Sequence, residues 1–130
     1  MSLTVPAEMI EQAQHGRVTE RDFVTVVRNS LPRAWAIVES LVEQRTSAGS
    51  SLESYGSGPM DDQTRGELLR MLAGTAIRRA TEQHFGVQLL FQNCHNVAVV
   101  GIGEDETPEA LKFTSIEGQI LNQQPEFQFC

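Results

Sequence analysis

The chain is poor in several residue types, and each scarcity excludes something. Two cysteines in 130 residues cannot build a disulfide scaffold. None is needed, because a chain of 14.4 kDa buries roughly two-thirds of its unfolded surface in one core. No run approaches the roughly 20 consecutive apolar residues of a membrane helix. The N-terminus, Met-Ser-Leu-Thr-Val-Pro-Ala-Glu, has neither the basic nor the hydrophobic region of a secretory signal. A cytoplasmic protein with reduced thiols is therefore expected. Positive charge is also scarce. Ten basic residues face seventeen acidic ones, a net charge of −7. Neither nucleic acid nor an anionic membrane surface is expected as a partner, since both require a basic footprint. There is no Walker loop, no G-x-G-x-x-G, no H-E-x-x-H and no C-x-x-C, so no cofactor or metal is expected.

What is present reads as one domain over residues 1–130. A short first helix is expected with Thr4 as its cap, Pro6 in its first turn and Gly16 as its end. The second starts at Thr19, with Asp22 three positions on in a capping-box variant. Ser30-Leu31-Pro32 then opens a third, running to about Thr46 with Trp35, Val38, Leu41 and Val42 inward. Residues 47–60 combine serines and glycines without a period and read as a flexible loop.

Asp61-Asp62 starts what reads as the longest helix, ending near His84 with Gly86 as its stop. Leu68, Leu69, Leu72, Ala73, Ala76, Ile77 and Ala80 recur at helical spacing. Gly66 and Gly74 each cost about 1 kcal/mol relative to alanine in a helix, so close approach of another backbone is expected there. His84 falls where the helix dipole favours a protonated imidazole.

The period then changes. Val87–Gln92 and Val97–Ile102 flank Asn93-Cys94-His95-Asn96 and read as a β-hairpin. A lone hairpin is marginal and leaves two edges, so pairing with a second copy of the chain is an expected route to a homodimer. Thr107-Pro108-Glu109 starts a short helix through Phe113. Thr114-Ser115-Ile116-Glu117 reads as another capping box, and Pro125 stops the helix it opens. Residues 103–130 hold six acids and one base, a local −5, which leaves −2 for the rest.

The fold expected is α+β and mostly helical: a helical bundle with a long central helix, one β-hairpin and a C-terminal helix. Chemistry has few candidates. Cys94 beside His95 at the hairpin turn could form a thiolate, the form that acts as nucleophile or metal ligand. The terminal Cys130 could be modified. A metal would need three or four ligands. His84 at the hairpin base and Cys94 at its tip lie roughly 20 Å apart, at about 3.3 Å per residue, and cannot share one ion. Arg70, Arg78 and Arg79 are candidates for a basic face that receives the acidic C-terminal segment, within the chain or across a dimer, and Glu104, Asp105 and Glu106 are acidic interaction candidates in a turn of that segment. Solvated side chains explain the same residues.

The run Arg79-Ala80, His84-Phe85-Gly86-Val87, Phe91-Gln92-Asn93-Cys94-His95 and Val97-Ala98-Val99 is distinctive. With Phe113-Thr114-Ser115, Leu121-Asn122-Gln123, Cys130, Ser30-Leu31-Pro32, Ala34-Trp35, Arg65-Gly66 and Leu68-Leu69-Arg70, it resembles a family of small cytoplasmic proteins of streptomycetes and related actinobacteria. That resemblance implies no activity, cofactor or catalytic residue. It places Asn93-Cys94-His95 and Cys130 in a shared pattern. The function expected is a non-enzymatic interaction or regulatory protein that self-associates. The alternatives are a thiol-dependent enzyme or redox or metal sensor using Cys94 with His95, and an accessory or carrier chain modified at Cys130.

Overall fold

The computed structural model describes residues 3–55, 61–93 and 96–121. Among them, helices dominate and one small antiparallel sheet completes an α+β fold. The expected fold class holds, with three changes in its parts.

Three helices come first: α1 (Ala7–Gln14), α2 (Glu20–Ser30) and α3 (Pro32–Ala48). The Thr19 side chain accepts from the Asp22 amide at 3.2 Å, so the cap read from the sequence is made. Two others are not. Pro6, not Thr4, precedes α1, and α3 starts from Leu31 without a side-chain cap of its own. Instead, the Thr4 amide donates to Ser30 Oγ at 2.9 Å, which ties the N-terminal segment to the α2–α3 junction. Gly49 closes α3 in the left-handed region, at φ +63, where a side chain would be strained.

The segment read as a flexible loop contains a strand, β1 (Leu52–Tyr55). The long central helix is two helices, α4 (Asp62–Ala73) and α5 (Thr75–Phe85), with extended Gly74 between them. A straight helix over this span would be about 36 Å long, at about 1.5 Å per residue. The break lets α4 pack on α3 while α5 packs on α2 and the sheet. Packing of a second backbone does not explain the glycines. A Cβ at Gly66 would meet nothing within 4 Å, and one at Gly74 only ordinary contacts.

The hairpin is present as β2 (Val87–Asn93) and β3 (Asn96–Gly101), with an irregularity between Phe91 and Asn93. It does not stand alone. Strand β1 pairs with the far side of β3, from Leu52 opposite Val100 to Tyr55 opposite Val97, so the order is β1-β3-β2. The β1 residues Leu52-Glu53-Ser54-Tyr55 gave little warning, being short and flanked by serine and glycine.

Val87, Leu89, Val97 and Val99 face the helices, as the two-residue period of a strand allows. They meet Val27, Leu31, Trp35, Val38 and Leu41 of the α2–α3 segment and Leu68, Met71 and Leu72 of α4. Ala98 and Val100, on the alternate positions of β3, are buried as well.

The chain closes with α6 (Pro108–Phe113) and α7 (Ile116–Leu121). Thr107 caps α6, accepting from the Ala110 amide at 3.3 Å. The second capping box is shifted by one residue: Ser115 Oγ accepts from the Gly118 amide at 2.9 Å. No helix among the described residues is long and apolar enough to cross a membrane.

Candidate functional site

Cys94, His95 and Cys130 lie outside the described residues, so the thiol candidates have no geometry here. Among the described residues, no group of three or more His, Cys, Asp or Glu side chains is placed to hold a metal ion.

The charged candidates are spread out. Arg70 is half-buried, with its Nε donating to the Gly66 carbonyl of its own helix at 3.1 Å. Arg79 lines a cleft of about 420 Å³ between α5 and the sheet, with Glu82, Gln88 and Asp105 on its walls. Arg78 is half-buried and Glu106 exposed. Glu104 turns to a partner that sequence reading did not single out: it pairs with Arg45 of α3 at 3.6 Å. Both partners are partly solvated, so this pair contributes up to about 1 kcal/mol. The acidic turn is thus anchored to α3 through Glu104, and Asp105 lines the same cleft as Arg79.

Three features escaped the sequence. The first is Glu67, only 1% exposed in the core. Its Oε1 accepts from the Arg33 amide at 2.7 Å and from the Ala34 amide at 3.4 Å, and Gln63 Nε2 donates to Oε2 at 3.3 Å. A carboxylate from α4 therefore supplies the cap that α3 lacks locally, and the helix dipole favours a negative charge there. Nearby, Asp61 caps α4 by accepting from the Thr64 amide at 2.8 Å and pairs with Arg33 at 2.5 Å. The hydrogen bonds from Thr64, and then the Arg33 guanidinium, hold its carboxyl below its ordinary value.

The second is a cavity of about 410 Å³ bounded by α2, α3 and α5. Trp35 is one wall. It is 4% exposed, stacks at a tilt on His84 and Phe85 at 5.0 and 4.9 Å, and its Nε1–H has no acceptor among the described residues. An unmet buried donor costs about 1–3 kcal/mol. His84, expected only as a helix-end residue, packs against this indole.

The third is apolar surface on α6 and α7. Leu111, Ile116, Ile120 and Leu121 are 53–78% exposed. Ile116 and Ile120 are one turn apart and share a face of α7. The sequence signal was weak, because the same spacing describes a helix with its apolar side buried.

Comparison with known proteins finds no match among curated proteins or solved structures. A family model labelled KH NucS shadow, and described as NucS shadow ORF, matches residues 1–130. The match spans the whole chain and names no activity or ligand, so what it establishes is kinship: this chain belongs to the NucS shadow ORF family.

Proposed function

We propose that this is a non-enzymatic interaction protein of the cytoplasm, as its resemblance to small cytoplasmic proteins implies, and that it self-associates through α6 and α7. The observation that carries the reading is the exposed apolar set Leu111, Ile116, Ile120 and Leu121. Helix α7 has six residues and buries none of them. Isolated helices shorter than about 12–15 residues are marginal in water, so α7 gains from a cover. A second copy of the same face supplies one around a two-fold axis, where each subunit offers the same patch.

The sheet edges are a weaker route. One side of the hairpin is taken by β1, and on the outer side the Leu89 amide donates to Glu82 Oε2 at 2.8 Å. A carboxylate on an edge amide discourages strand addition.

A protein partner also fits better than a nucleic acid. The family label carries the letters KH. KH modules clamp a nucleic-acid backbone on a G-x-x-G loop. No two glycines of this chain stand three apart, and α4 passes to α5 through Gly74 alone. The charge of −7 points the same way.

Size-exclusion chromatography with light scattering tests the reading. A mass of twice 14.4 kDa is expected, falling to the monomer in an Ile116→Glu, Ile120→Glu variant of unchanged circular dichroism. A monomer at every concentration would overturn self-association. If removal of residues 122–130 then raised binding of an apolar dye, the face would belong to the chain's own end.

A further inference from the structure

We propose that the cavity between α2, α3 and α5 binds a small organic anion, with its apolar body against the Trp35 and His84 rings and its acidic head on Arg21, Arg28 and the Trp35 Nε1–H. Trp35 is more than nine-tenths buried, forms part of the cavity wall, and carries a donor without an acceptor. Buried donors in folded proteins are almost always satisfied, so this N–H calls for an oxygen that the described side chains do not provide.

The charge at the cavity gives that oxygen its character. Arg21 and Arg28 stand seven residues apart, two turns on one face of α2, and both line the opening. Neither has an ion-pair partner among the described residues. Glu20 is the one acid on the wall, so the lining carries a net positive charge in a chain of −7. Gln83 adds an amide that orients either a donor or an acceptor. The volume lies in the lower part of the range of small-molecule sites. An arginine pair at the mouth, an aromatic wall and one buried donor together suit a carboxylate or phosphate on a small aromatic or aliphatic body. The site is independent of the α6–α7 face, so it stands whether or not the protein self-associates.

Trp35 is the only tryptophan, which makes its indole N–H a single resonance and its fluorescence a single emitter. The full-length protein is titrated with benzoate, phenyl phosphate and, as the neutral control, benzamide. We expect a saturable shift of the indole N–H resonance with at least one anion and none with benzamide. The anion with the lower Kd identifies the head group. Arg21→Gln and Arg28→Gln, both on the exposed side of α2, are expected to weaken that binding about tenfold each. Trp35→Phe keeps an aromatic wall, removes the donor, and is expected to weaken binding read by calorimetry. No shift with either anion, an equal shift with benzamide, or unchanged Kd in both arginine variants would overturn the proposal.

Discussion

Strand β3 and helix α7 each have six residues, and both are rich in aliphatic side chains. Yet five residues of β3 are buried and none of α7. Val97, Ala98, Val99 and Val100 lie between two strands with α3 across one face. Ile116, Ile120 and Leu121 have α6 as the main neighbour of their helix. Composition alone does not separate the two elements. What differs is how many other elements surround each one.

The largest test of that contrast places a carboxylate in each element. Val99→Asp buries an unpaired charge and is expected to cost more than about 4 kcal/mol, seen as loss of the cooperative urea transition. Ile120→Asp is expected to change monomer stability by less than about 0.5 kcal/mol, while lowering the associated mass. A comparable loss from both would show that α7 is as well covered as β3.

The same contrast extends to two capping carboxylates, one covered and one solvated. Glu67→Ala leaves the Arg33 and Ala34 amides without their acceptor and is expected to destabilise by about 1–3 kcal/mol in urea unfolding. Glu67→Gln keeps an acceptor oxygen and should recover most of that loss. Equal losses would assign the role to charge and not to the hydrogen bond.

Each six-residue element also holds a glycine. A Cβ at Gly101 would press on the ends of the Glu104 and Arg45 side chains, which can move aside. One at Gly118 would press on the backbone carbonyl of Lys112, which cannot do so without shifting α6 from α7. Gly118→Ala is expected to free the α7 amides to exchange with solvent, with little change in global unfolding, because α7 lies outside the core. Gly101→Ala should cost no more than the solvated Arg45–Glu104 pair, up to about 1 kcal/mol. If Gly118→Ala left α7 protected, its junction with α6 would not be what holds it.

The smallest effect expected is at Asp61. Its carboxyl is lowered in the folded protein, so its contribution is present above the ordinary value of 3.8. That contribution is lost as pH falls from there through the lowered folded value. Asp61→Asn should flatten this acid limb of the stability profile while keeping a capping side chain. An unchanged limb would show that the Thr64 and Arg33 contacts do not persist in solution.

Much of this architecture is legible in the order of residues. The Thr19 and Thr107 caps, the positions of α2 and α3, and the hairpin around residues 93–96 come from local rules: a hydroxyl one turn ahead of an amide, or a change of period from helix to strand. The two largest errors share one cause. Gly74 reads as a point of close backbone approach inside an apolar helical pattern, and only the different partners of α4 and α5 show why the helix ends there. Strand β1 has four residues and no signal apart from its partner β3. The candidate site was less legible still. Trp35 and His84 each stand out in the sequence, the first as core and the second as a helix end. Arg21 and Arg28 do not, since nothing in the order of residues 21, 28, 35 and 84 says that they surround one cavity.

By itself, then, the sequence determined an acidic composition, the α+β class, the Thr19 and Thr107 caps and the placement of most helices. These depend on neighbours within about one turn. The tertiary structure decided the third strand, the break at Gly74, the capping of α3 by Glu67 and the exposure of α7. Each depends on residues far apart in the chain meeting through packing, and local patterns carry no record of which distant surface will arrive.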